Sequence, residues 1–151
     1  MKFSITLYFA ILFYSIGALT IENDVNYNTW KFISSENFAE YHKHLESLLK
    51  FFMFTPLGLS LILNVILVFY KNLKPLRIYF LVSLILLAFI ITYSLIIQVP
   101  LHIELESNYN ENTLNELIKN HKTIRLPATI LLFVVNIIPL YKLLNYKKHI
   151  I

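Results

Sequence analysis

The chain has 151 residues, 57% of them hydrophobic and 15% charged, a formal net charge of +4 and a mean hydropathy of +0.61. Soluble domains hold roughly 45–50% apolar residues, so this balance excludes an ordinary soluble domain and points to an integral membrane protein, with room for a single bundle. The absence of Cys excludes disulfides, thiol redox chemistry, Cys-ligated clusters and covalent haem. No basic tract interleaved with aromatics occurs and the basic residues flank apolar runs, so membrane orientation accounts for the charge and nucleic acid does not.

The first predicted element follows Lys2, where residues 3–21 carry no charge before Glu22 and Asp24. A positive start, an apolar run and the pair Gly17-Ala18 also fit a cleavable signal peptide. The run is longer than the ~7–15 residues of a signal core, so a retained span is expected, with cleavage as the alternative. The Asn-rich stretch Asn23 to Thr29 reads as a turn. Ser34 or Ser35 is then a plausible N-cap, with Glu36 in the first turn. From there Phe38, His42, Leu45, Leu49 and Phe52 recur at the spacing of one buried helix face. His42 shares that face, and His44 points away from it.

Residues 51–70 form the second span, with Pro56 and Gly58 in its outer part and a kink expected near Pro56. The short connection 71–77, carrying Lys71, Lys74 and Arg77, makes an antiparallel hairpin with the third span. That span, 78–100, opens with 22 uncharged residues, 78–99, enough at ~1.5 Å each to cross a ~30 Å hydrocarbon core. It ends in a polar series: Ser94, Gln98 and His102 at i, i+4 and i+8 share one face that should look into a bundle. Pro100 is expected to kink the helix or mark its end.

In the second outer segment, Thr113-Leu114-Asn115-Glu116 reads as a capping box. Leu114, Leu117, Ile118 and His121 follow as the apolar face of a short helix lying on the membrane or lidding the bundle. The last span is 126–144, in which Lys142 would have to snorkel. Lys2, Lys71, Lys74, Arg77, Lys142, Lys147 and Lys148 fall on one side. Lys31, Lys43, Lys50, Lys119, Lys122 and Arg125 fall on the other, together with every Asp and Glu. The first set occupies much shorter segments, so both termini are expected in the cytoplasm of a cell-membrane protein.

Three of the five histidines, His42, His102 and His121, thus lie on inward faces at the outer end, among Trp30, Glu36, Tyr41, Gln98, Glu106 and Arg125. Imidazoles there are natural proton shuttles and the commonest metal ligands. Three readings stand open: structural histidines, a proton-handling or substrate site, and a metal site, the last without a His-x-x-x-His spacing. On straight helices His42 would stand ~13 Å above its span and His102 ~4 Å beyond its own. Convergence therefore requires the first outer helix to bend near Pro56. Asn64 and Asn136 are expected to hydrogen-bond between helices.

Trp30, the run Glu36-Asn37-Phe38-Ala39-Glu40-Tyr41-His42, Gln98-Val99-Pro100-Leu101-His102 with Leu105, and Leu117-Ile118 ahead of Arg125 together resemble the four-span anthrone oxygenase-like membrane family. Where that family usually has Asn-Trp and a nearby Arg-Thr before its fourth span, this chain has Asn120-His121 and Arg125-Leu126. The resemblance implies four helices with a polar outer pocket and, in fungal relatives, cofactor-free oxidation of anthrones to anthraquinones.

The expected fold is all-α, a four-helix transmembrane bundle with short amphipathic helices on the extracytoplasmic side, in one domain spanning 1–151. The expected site has His42 or His102 as general base. Trp30, Tyr41, Gln98, His121 and Arg125 bind the substrate, with Gln98 and Arg125 stabilising its anion. Neither metal nor cofactor is expected, and the partners are the lipid bilayer and a hydrophobic, aromatic or quinone-like small molecule. The alternative is a non-catalytic membrane subunit whose outer loops dock a protein partner.

Overall fold

The computed structural model describes residues 2–145, so Lys147, Lys148 and His149 lie outside the described residues. It is all-α. Four helices are long and apolar enough to cross a membrane: α1 (Lys2–Phe32), α2 (Ser35–Phe69), α3 (Lys71–Ser107) and α4 (Glu111–Asn145). The breaks between them are only a few residues long, which forces successive helices antiparallel. α1 packs on α2, α2 on α3, α3 on α4 and α4 on α1, closing a ring around one axis.

The spans bury Ser15, Ser60, Asn64, Ser83 and Asn136 while Ile62, Ile66, Ile85, Leu131 and Val134 are exposed. This inverts the soluble pattern and suits a lipid surround, where inward polar groups join the helices. One side chain from each helix meets in a closed knot. Tyr8 donates to Asn136 Oδ1 (2.7 Å). Asn64 Nδ2 donates to Tyr8 Oη (2.7 Å) and Ser83 Oγ (2.9 Å). Asn136 Nδ2 donates to Ser83 Oγ (2.9 Å) and to the carbonyl of Leu132 (2.8 Å). Lys142 reaches Tyr79, its Nζ 3.0 Å from the hydroxyl.

At ~1.5 Å per residue these helices run to about 46–55 Å, well beyond a ~30 Å hydrocarbon core. The excess lies at one end, called here the extended end, in residues 22–32, 35–50, 101–107 and 111–125. All the Asp and Glu residues lie there. The outer helices are continuous with the spans, and four sequence expectations change accordingly. Asn23 to Thr29 is helical, with the amides of Asn23 and Asn28 turned back onto the carbonyls of Leu19 and Asp24 one turn earlier. Pro100 does not end α3, which continues to Ser107. The last outer helix runs on into the fourth span, and is capped by Asn110, whose side chain accepts from the amide of Asn112. Thr113, the expected cap, instead donates to Glu104 Oε1 of α3 (2.7 Å).

Continuity through the prolines has a local cause. Each helix carries one π turn at the junction of span and extension: Ile21–Asn26, Lys50–Phe54, Ser94–Gln98 and His121–Arg125. Pro56, Pro100 and Pro127 each stand two residues beyond the end of such a turn. A proline lacks an N–H and crowds the carbonyl four residues back, here that of Phe52, Ile96 or Thr123. All three carbonyls lie inside a π turn, where the wider i→i−5 spacing relieves the clash. The α1 turn has no proline.

Candidate functional site

Four π turns at one level leave the helices locally wide, and a cavity of about 30 Å³ lies among them, room for one or two waters. All four helices line it: Glu22 and Tyr27 from α1, Met53 and Phe54 from α2, Ser94, Gln98 and His102 from α3, and Arg125 from α4. The polar stripe of the third span thus reaches the cavity with its three members together. Ser94 spends its hydroxyl on the carbonyl of Ile90 (2.7 Å). Gln98, 1% exposed, has neither amide atom bonded within the protein.

Glu22 and Arg125 are likewise buried at the cavity without pairing: no ion pair within 4 Å joins them. Asn26 donates to Glu22 Oε2, while Glu22 Oε1 and Arg125 Nε have no protein partner. Burial pushes the Glu22 carboxyl up to about 7, against the opposing effects of the Asn26 hydrogen bond and the Arg125 charge. One small space therefore faces unused donors on Arg125 and Gln98 and unused acceptors on Glu22 and Gln98.

Behind the cavity runs a line of hydrogen bonds. Arg125 Nη1 lies 3.4 Å from Tyr27 Oη, and Tyr27 Oη lies 3.1 Å from His102 Nε2. His102 Nδ1 lies 2.8 Å from His42 Nε2, and His42 Nδ1 lies 3.0 Å from Glu106 Oε1. Both nitrogens of each imidazole are engaged. The His42 and His102 rings stack with centroids 5.0 Å apart, and the Trp30 ring stands edge-on to both, at 4.9 and 5.6 Å. Trp30 and Phe38 are fully buried and exclude water from this line. Burial, with His42 and Arg125 adding, holds the His102 imidazole well below the usual histidine range, so it stays neutral.

The structure thus brings His42, His102, Trp30, Gln98 and Arg125 together, with His42 one hydrogen bond behind the cavity wall. His121 is not on the cavity lining; its ring stands 6.2 Å from the Tyr27 ring and its Nε2 3.5 Å from Asp24 Oδ1. Tyr41 is 40% exposed, away from this group, and Glu36 and His44 are exposed. Among the described residues no group of three or more His, Cys, Asp or Glu converges as a metal-binding set.

Glu22, Tyr27 and the linking role of Glu106 come from the structure. For Glu106 the signal was present, since the step of four from Ser94 through Gln98 and His102 lands on it. Tyr27 lies in the stretch 23–29 that reads as a turn and Glu22 just ahead of it, so neither carries such a signal. No known family model, curated protein or solved structure matches the chain, and the functional reading rests on the residues themselves.

Proposed function

We propose that this multi-pass membrane protein binds the polar head of an amphiphilic aromatic, phenolic or quinone-like molecule between its four π turns and removes a proton from it. The observation that carries the proposal is the cavity lined by unpaired, deeply buried donors and acceptors. Buried polar groups normally find partners, and leaving them open is costly. A head bearing both carbonyl and hydroxyl groups satisfies Arg125, Gln98 and Glu22 at once. The cavity has room for one or two waters, so such a head takes the place of water while the apolar body lies against Leu49, Met53, Phe54 and Val99, themselves on the lining. Arg125 and Gln98 stabilise the anion and the Tyr27–His102–His42 line accepts the proton.

The resemblance to the anthrone oxygenase-like family gives this ligand class its narrowest form. There an anthrone loses a C–H proton, and the anion reacts with O2 to yield the anthraquinone and hydroxide, which a proton converts to water. Short basic segments at one end and all the acids at the other support placement in the cell membrane with both termini cytoplasmic and the cavity near the outer face.

The test uses purified protein in lipid nanodiscs and a hydroxyanthraquinone, whose phenol and phenolate absorb at different wavelengths. Preferential binding of the anion by about tenfold lowers the apparent pKa of the bound probe by roughly one unit. Arg125→Gln abolishes that shift and His44→Ala preserves it. Equal spectra for probe bound to wild type and to Arg125→Gln would end the proposal. Oxygen uptake with anthrone tests the oxidation separately. Reporter fusions after Lys74 and near Asn110 test orientation, a cytoplasmic signal at Asn110 being incompatible with it.

A further inference from the structure

The cavity is joined by side chains alone to a second, open feature. A shallow groove where α2 crosses α3 is lined by Ala39, Glu40, Lys43, Ile103, Glu106 and Ser107. Glu106 has its carboxyl in that groove, its side chain 25% exposed, while its Oε1 meets His42. His42 is 2% exposed and Tyr27 1%. The line therefore begins in a buried space and ends in a solvated one.

Its polarity follows from what each atom can do. For two neutral imidazoles and a Glu106 carboxylate, which only accepts, His42 Nδ1–H donates to Glu106 and His42 Nε2 is left as an acceptor. His102 Nδ1–H must then donate to it, which leaves His102 Nε2 to accept from the Tyr27 hydroxyl. A guanidinium only donates, so Tyr27 Oη accepts from Arg125. All four contacts are satisfied by one arrangement of protons with both imidazoles neutral.

We infer that Tyr27, His102, His42 and Glu106 form a directional proton path from the buried cavity to the surface groove, with Glu106 as its port. The path rests on the proposed function only for the source of the proton. When a ligand O–H or C–H bond in the cavity breaks, its proton bonds to Tyr27 Oη as the Tyr27 proton passes to His102 Nε2. The His102 Nδ1 proton passes to His42 Nε2, and the His42 Nδ1 proton to Glu106, which releases it to groove water. The electron pair stays on the ligand, whose anion remains beside Arg125. Both imidazoles have then exchanged tautomers, and either a proton returning along the same bonds or rotation of both rings resets them. Tyr27, not a histidine, is the group that meets the ligand's proton. Glu40 and Lys43 flank the port, and Glu22 and Arg125 face the other end.

The test uses the full chain in lipid nanodiscs, labelled with 15N at histidine, and needs no ligand. His42 and His102 are both expected to carry their proton on Nδ1, and the buried His102 ring proton to exchange with water through the port. Glu106→Gln, whose side-chain oxygen still accepts from His42 but cannot carry the proton away, is expected to slow that exchange about tenfold or more without changing either tautomer. Glu106→Asp is expected to restore part of the rate, and Lys43→Gln in the same groove to leave it unchanged, with amide spectra reporting the fold of each variant. A proton on Nε2 of either histidine, an unchanged rate in Glu106→Gln, or an equal slowing in Lys43→Gln would overturn the path. With the hydroxyanthraquinone probe, stopped-flow mixing is expected to show phenolate forming about tenfold more slowly in Glu106→Gln at unaltered affinity. If the wild type does not bind the probe, the proposed function fails while the exchange measurement still decides the path.

Discussion

Two polar clusters lie along the axis of this bundle, each fed by all four helices. In the knot of Tyr8, Asn64, Ser83 and Asn136, six hydrogen bonds join groups that are fully buried, and of its side-chain polar atoms only Asn64 Oδ1 lacks a partner. At the cavity, atoms of Glu22, Gln98 and Arg125 are as deeply buried and have no protein partner. The same chemistry serves two ends. A nearly saturated network joins helices and offers a ligand almost nothing, whereas an open one leaves buried donors and acceptors free at a cost in stability.

The sharpest way to break this contrast is to empty the knot. Asn136→Leu keeps the volume but removes bonds to Tyr8, Ser83 and the Leu132 carbonyl, and is expected to lower unfolding free energy by about 2 kcal/mol in detergent or nanodisc unfolding. Binding of the hydroxyanthraquinone is expected to survive it. A stable Asn136→Leu protein with lost binding would exchange the roles of the two clusters.

The open cluster has a pH signature near neutrality. Glu22 titrates at about 7 in the folded chain against an ordinary value of 4.5. Between those values Glu22 holds a proton in the folded protein that the unfolded chain has lost, so the contribution of Glu22 to stability falls as pH rises through this window, opposite in sign to that of His102, which burial keeps neutral and whose contribution rises with pH up to the ordinary histidine value of 6.5. Glu22→Gln is expected to remove the Glu22 contribution, measured as the difference in denaturation midpoint between variant and wild type from pH 4 to 8. A difference that does not change with pH would show that Glu22 makes no such contribution.

Gln98→Met sharpens the comparison from the opposite side. Neither amide atom of Gln98 has a protein partner, so an apolar side chain of similar shape is expected to leave stability unchanged or raise it by about 1 kcal/mol. The same change is expected to weaken probe binding about tenfold. A loss of stability comparable to that of Asn136→Leu would mean that Gln98 belongs to a structural network after all. The smallest effect belongs to Tyr41, exposed and away from both clusters. Tyr41→Ala is expected to change stability by less than about 0.5 kcal/mol and binding not at all.

Much of this was legible in the chain. Four uncharged runs, the second and third joined by the short basic segment 71–77, point to a bundle of four spanning helices, because a backbone in lipid must satisfy its own hydrogen bonds and a helix does so locally. Helical periodicity, also local, put His42 on the inward face and His44 off it, and aligned Ser94, Gln98 and His102. What periodicity does not carry is depth. Straight-helix geometry put His42 and His102 about 9 Å apart along the axis, and their meeting depended on how α2 and α3 pack beyond the membrane. Pro56 reads as a kink and Pro100 as a kink or a helix end, since sequence gives the loss of an N–H but not whether the preceding turn can widen to absorb it. Tyr27 and Glu22 reach the cavity because their segment is helical and α1 continues to the level of Arg125. The hydrogen bonds that make the outer cluster a line join residues 60 to 98 positions apart. Such partners are chosen by the packing of four helices, which no local pattern in any one of them contains.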